Sequence, residues 1–219
     1  MRLLFNPFTG RFDPIPMRFG STTSYSQFEA DGTYKANGLA TVYNDINISV
    51  STGKVPAANF PAWATVVGPL SAYRFAVNDH IDLATAELLH DWKEGSDIEV
   101  HVHWLTGGNN DATARGVRWQ IDYAIANTPL QGSGSIIMTA GTLTMSADTV
   151  IAANEVANTT KYSSLGTIAL ANYGIGSMFM MHLTRVAASG TAPAAGPFAL
   201  QAGIHYEIDT LGSRSILTK

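Results

Sequence analysis

Apolar and polar residues alternate with period two along much of this chain, the mark of strands with one buried face. Over 97–104, Ile98, Val100, Val102 and Trp104 interleave with Asp97, Glu99, His101 and His103. Over 117–125, Val117, Trp119, Ile121, Tyr123 and Ile125 oppose Arg118, Gln120 and Asp122. Over 198–210, Phe198, Leu200, Ala202, Ile204, Tyr206 and Ile208 oppose Gln201, His205, Glu207 and Asp209. The Gly107-Gly108-Asn109-Asn110-Asp111 run separates the first two segments as a turn, which predicts a hairpin. Weaker strand patterns cover 39–50, 63–67, 72–77, 136–145 and 178–186. The last is apolar at Met178, Phe179, Met180, Met181 and Leu183, as expected of a central strand covered on both faces. Helical spacing is confined to 81–92 and 147–156, each predicted as one short helix.

Many short strands joined by turn-rich connections predict an all-β fold: a single β-sandwich of the jelly-roll type over residues 39–219. Residues 1–38 read as an extended N-terminal arm and linker. Pro7, Pro14 and Pro16 oppose helix there, while Phe5, Phe8, Phe12, Met17 and Phe19 are too apolar for a solvated tether. The arm is expected to pack either on the chain's own core or on a neighbouring subunit, and 20–31 reads as a linker into the body. No signal peptide is expected, because Asn6-Pro7 cuts the opening apolar run short.

Composition narrows the function classes. Of 219 residues only 14% are charged, against about 25% in an average soluble protein. The charge-free runs 123–147 and 162–184 are rich in Gly, Ser, Thr, Asn and Ala, so they do not resemble membrane spans. The absence of cysteine excludes disulfides, thiolate metal ligands and thiol nucleophiles. A net charge of −4 argues against a nucleic-acid partner. The scarcity of charge instead suggests surface covered by other subunits.

Candidate chemistry is sparse. His101 and His103 share a strand face and could ligate one metal ion, with His182 or His205 as a further ligand, as in a cupin-like metal-binding β-sandwich. The carboxylate expected shortly after such a pair is missing, since Trp104-Leu105-Thr106-Gly107-Gly108 follows. Hydrogen-bonded histidines on a polar strand face are therefore the preferred reading, with no metal and no cofactor expected. Glu99, Asp122, Glu207 and Asp209 could pair as glycosidase carboxylates, but alternation yields such pairs by default and the aromatics fall on the opposite face. There is no GxSxG elbow, no GxxxxGK[ST] loop and no HExxH, so no enzymatic activity is expected.

Several local strings resemble tailed-bacteriophage virion structural proteins. One is Leu89-His90-Asp91-Trp92-Lys93-Glu94-Gly95-Ser96-Asp97-Ile98-Glu99-Val100-His101-Val102-His103-Trp104, leading into a strand such as Val117–Tyr123. A second is His205-Tyr206-Glu207-Ile208-Asp209-Thr210-Leu211-Gly212-Ser213-Arg214 near the end of the chain. A third, weaker one is the opening Asn6-Pro7-Phe8-Thr9-Gly10-Arg11-Phe12-Asp13. Leu89 stands where the first of these strings has a proline in those proteins. The resemblance implies a non-enzymatic virion component made in the host cytoplasm. A capsid decoration or cement protein is preferred; a head fibre, tail adaptor or receptor-binding protein is the alternative. The expected partners are copies of itself as a homotrimer and the major capsid protein or other virion proteins, with neither nucleic acid nor membrane. Assembly contacts are expected from Phe5, Phe8 and Phe12 on the arm and from Glu99, His101, His103, Arg118, Asp122, His205, Glu207 and Asp209 on polar strand faces.

Overall fold

The computed structural model describes residues 3–6, 11–14, 17–29, 32–128 and 135–216, with side chains from Arg18 onward. The N-terminal region holds β1 (Leu3–Asn6), β2 (Arg11–Pro14), β3 (Met17–Gly20), β4 (Tyr25–Phe28) and β5 (Tyr34–Asn37). The body begins with β6 (Val42–Ser49), β7 (Ala62–Val67), β8 (Leu70–Arg74), β9 (His80–Asp82) and β10 (Ala86–Glu87). It continues through β11 (Ile98–Leu105), β12 (Arg115–Ala126), β13 (Thr139–Thr144) and β14 (Thr149–Ile151). It ends with β15 (Thr160–Ile168), β16 (Met178–Val186) and β17 (Phe198–Ile208).

Two antiparallel sheets of six strands form the sandwich. The first runs β15-β11-β17, and the far side of β17 is shared end to end by β6 and by the β8–β7 hairpin. The second is centred on β16 and β12. Here β9 and β10 share the outer side of β16, and β13 and β14 share the outer side of β12. Taken along the chain, β6, β9/β10, β11, β12, β13/β14, β15, β16 and β17 visit first, second, first, second, second, first, second and first sheet. That order is a jelly roll with the β7–β8 hairpin inserted after its first strand.

The inner faces meet around Trp104 and Trp119, whose rings are 6.2 Å apart, and Phe75, whose ring lies edge-on to Trp119 at 5.3 Å. Ile98, Val100 and Val102 of β11, Val117 and Ile121 of β12, and Ala202, Ile204 and Tyr206 of β17 complete this core with no exposed surface. The alternation in these strands therefore predicts most of the buried set. Arg185 is a charged residue within the core. It faces inward from β16, donates from Nη1 to the Phe75 carbonyl at 2.6 Å, and its guanidinium is pushed down to about 10 by burial.

Several expectations are corrected. β11 and β12 belong to different sheets, so 106–114 crosses the sandwich and does not close a hairpin. The helix expected at 81–92 is replaced by β9 and β10, two short strands lying along β16. The irregular break between them spaces buried Ile81, Leu83, Leu88 and Trp92 in a helix-like way. The helix expected at 147–156 is β14 followed by a turn, in which Asn154 takes a positive φ of 55°. β16 is central as expected but covered on one face only, with Met180 on the open side 53% exposed. Leu200 is displaced outward because the β11–β17 register shifts between His103 and Trp104, which makes Ala199 the inward residue.

The N-terminal segment is more structured than a linker. β1 pairs with β2, placing Phe5 opposite Phe12, and β3-β4-β5 form a separate three-stranded sheet that occupies part of 20–31. This sheet is tied to the end of β17 through Ala36 N–H donating to Asp209 O at 2.6 Å and Arg214 Nη2 donating to Thr33 Oγ1 at 2.7 Å. Phe8 lies outside the described residues.

Two consequences are measurable. Truncating buried Ile121 to Ala should cost about 2–5 kcal/mol by chemical denaturation, whereas Leu39→Ala, 94% exposed, should stay within about 0.5 kcal/mol. Burial pushes the Glu155 carboxyl up, but hydrogen bonds from Lys161 Nζ and the Ala152 N–H outweigh it and hold the group below its ordinary 4.5. A depressed carboxyl stabilises the fold above its unfolded value and loses that contribution as pH falls. Glu155→Gln should therefore lower the melting temperature by about 2–4 °C at neutral pH, and the gap should close as pH drops below 4.5.

Candidate functional site

The same parity that sends Val100, Val102 and Ile204 inward sends Glu99, His101, His103 and His205 to the outer face of the first sheet. The cross-strand register then aligns Glu99 on β11 with His205 on β17 and His205 with Asp45 on β6. His101 is opposite Gly203, where a Cβ would collide with His101 Nε2. The imidazole occupies the space that a side chain at 203 would fill.

The result is a compact cluster across β15, β11, β17 and β6. The His101 ring stacks on His205 at 4.1 Å and lies 5.0 Å from the tilted ring of Tyr162, while His103 meets it edge-on at 5.0 Å. These neighbours leave the His101 side chain with no exposed surface although it is on the outer face of the sheet. Both imidazoles turn Nδ1 toward Glu99 Oε2, at 3.1 Å for His101 and 2.9 Å for His205. Tyr162 OH donates to the other oxygen, Glu99 Oε1, at 2.9 Å. Both rings turn Nε2 toward Asp45 Oδ2, at 3.9 Å and 3.8 Å. His101 Nε2 and Asp45 Oδ1 are buried without a hydrogen-bond partner.

Electrostatics follow this geometry. Burial, and then the neighbouring imidazole of His205, push His101 below its ordinary value against the pull of Glu99 and Asp45. Burial pushes Glu99 up, but hydrogen bonds from Ser164, Tyr162 and His205 outweigh it and keep the carboxylate ionised. Burial and its bond to Glu99 push the Tyr162 phenol far up, so it remains a donor. A carboxylate accepting from Nδ1–H on two rings selects the tautomer that leaves both Nε2 atoms as lone-pair donors.

Of the sequence-predicted site residues, the structure unites Glu99, His101 and His205 and keeps His103 at the margin. Arg118 and Asp122 lie across the sandwich on the second sheet: Arg118 pairs with Asp148 at 2.8 Å, and Asp122 accepts from Gln120 and Thr142. Glu207 is engaged by Lys93 at 2.8 Å and by Thr41. His182 is distant from His101, pairing with Asp82 at 2.6 Å and lying 4.8 Å from the His80 ring. The candidates thus occupy two opposite outer faces and do not form one patch. Sequence reasoning missed Asp45, Tyr162 and Gly203. Asp45 and Tyr162 are on strands with weak alternation, and only the pairing of β6 and β15 with the central strands brings them in.

Among the described residues no helix is long and apolar enough to cross a membrane. A comparison with protein-family models finds no match, and a comparison with curated proteins finds none either. Among solved structures the chain is similar to a chain of infectious bursal disease virus, Gt strain, at 11% identity and TM-score 0.33, covering 88% of this chain and 40% of that one. The T13 particle of the same virus gives 11% identity and TM-score 0.36 over 87% of this chain and 38% of that one. Its VP2 subviral particle gives 9% identity and TM-score 0.26 over 85% and 64%. The chain spans about 40% of the length of the first of these proteins.

Proposed function

We propose that this protein is a non-enzymatic structural component of a tailed-phage virion, a decoration or cement protein that assembles as a homotrimer and binds the shell. The strings centred on 94–104 and 205–214, similar to phage virion proteins, support the virion assignment. The observation that carries the assembly reading is the β7–β8 hairpin at the edge of the first sheet. Among the described residues β7 pairs only with β8 and forms the end of the sheet. Residues 62–73 contain no charged side chain, and Trp63, Val67 and Leu70 are 55%, 58% and 65% exposed.

Edge strands of free monomers are usually blunted by charge, proline or a covering loop, because an open edge templates pairing with another chain. Among the described residues the cover is partial: Asn158 Nδ2 donates to Val66 O at 3.0 Å. An uncharged edge carrying an exposed tryptophan suits a surface buried against a second copy. The loops 107–115 and 187–197 contain small residues and no aromatic, which favours cementing over receptor binding.

Sedimentation of the intact chain should give a trimer. The double substitution Val67→Asp and Leu70→Asp, at exposed positions that should not disturb folding, should weaken self-association at least tenfold. A stable monomer of the unmodified chain overturns the trimer. Particles purified from the encoding virus and washed in high salt should retain the protein in stoichiometric amount; its absence from them overturns the virion role.

A further inference from the structure

We propose that Asp45, His101 and His205 bind a divalent first-row transition metal ion, of the kind zinc represents, on the outer face of the first sheet. The ligand atoms are Nε2 of both imidazoles and a carboxylate oxygen of Asp45, and the three lie within 4.8 Å of one another. An ion held about 2.0–2.2 Å from nitrogen and oxygen ligands fits between donors that face each other at 3.8 Å and 3.9 Å. Two imidazoles and one carboxylate suit borderline ions such as zinc, nickel, cobalt or iron, and not calcium or magnesium, which take oxygen ligands.

Three features separate this cluster from a chance gathering of polar groups. First, His101 has no exposed surface, and its Nε2 is buried without a hydrogen-bond partner while aimed at Asp45. An orphaned buried polar atom is costly, and a ligated ion removes that cost. Asp45 Oδ1 is in the same condition. Second, Glu99 supplies the outer support that ligating histidines ordinarily have, accepting from Nδ1 of both rings and itself held by Tyr162. Third, Gly203 provides the room: any side chain there would displace the His101 ring. Neutral imidazoles, with the charges of Asp45 and Glu99, balance a doubly positive ion.

The three ligands come from β6, β17 and β11, neighbours in one sheet. An ion would therefore fasten the edge strand β6 to its neighbour β17 and to β11 beyond it, with the fourth coordination position left to water or to a group from another molecule. His103 is not a ligand in this arrangement. The assignment is independent of the virion reading.

The test uses zinc chloride and cobalt chloride on the intact chain, freed of metal beforehand by chelator and dialysis. Calorimetry should show one saturable zinc site per chain, zinc should raise the melting temperature, and cobalt should develop the visible absorption of a low-coordinate nitrogen–oxygen site. Asp45→Asn, which preserves shape, and His205→Gln should each weaken zinc binding by more than about 100-fold, and Glu99→Gln by about 10–100-fold. Gly203→Ala should abolish binding by displacing the His101 ring. His182→Gln, in the separate His80–Asp82–His182 group, should leave affinity unchanged. Failure of the unmodified chain to bind zinc saturably overturns the proposal, as does binding that survives both Asp45→Asn and His205→Gln. Each variant's metal-free melting curve is recorded, so that lost binding is counted only where the fold is retained.

Discussion

Burial of two sheet faces against each other, with Trp104, Trp119 and Phe75 at the centre, is the constraint from which the remaining features follow. A strand has one degree of freedom in this respect: once Val100, Val102 and Trp104 face inward, Glu99, His101 and His103 must face outward. On β17 the same rule places Gly203 and His205 outside because Ala202, Ile204 and Tyr206 are inside. The histidine cluster is thus a by-product of core parity on two adjacent strands. Its tightness depends on one missing side chain, because a Cβ at 203 and the His101 ring cannot both occupy the space between β11 and β17.

The central strands were legible because each is buried on one face and long enough for alternation to repeat. β16 matches its expected span of 178–186, and β11, β12 and β17 lie within or close to theirs. Short edge strands were not legible: β9 and β10 carry three and two residues, too few to establish a period, and their buried side chains fell into helical spacing. The supposed hairpin failed for a different reason. Sequence adjacency and a glycine-rich turn cannot distinguish two strands of one sheet from two strands facing each other across a core, and a jelly roll repeatedly uses the second arrangement. Leu200 shows the same limit on a smaller scale, since a bulge reverses parity without leaving a mark in the composition.

The site was half legible. His101 and His205 stand out because histidine on a polar strand face is chemically conspicuous, yet the sequence offers no reason to pair them with each other instead of with His103 or His182. The structure makes the selection through register: β11 and β17 bring the rings to 4.1 Å, while His103 is turned edge-on and His182 is in the other sheet. The carboxylate sought just after the His101–His103 pair is instead supplied by a distant strand. Asp45 reaches the cluster only because β6 pairs with β17, a non-local contact that no local motif encodes.

The shortage of charge takes on a sharper form in three dimensions. Between Tyr162 and Tyr206 the one residue among Asp, Glu, Lys and Arg is Arg185, and its side chain points into the core. That entire stretch, with most of β15, all of β16 and most of β17, therefore gives solvent no lysine, arginine or carboxylate. On the outer face of the first sheet, Glu99 and Asp45 are turned toward imidazoles instead of outward. A free monomer relies on dispersed charge for solubility and for blunting its sheet edges. Here both safeguards are weak at once, with uncharged strands in the body and an open apolar hairpin at the edge of the first sheet. Those two deficits are compatible if the same surfaces are covered in the assembled state, where exposed charge would have to be stripped of water at a cost that neutral side chains avoid.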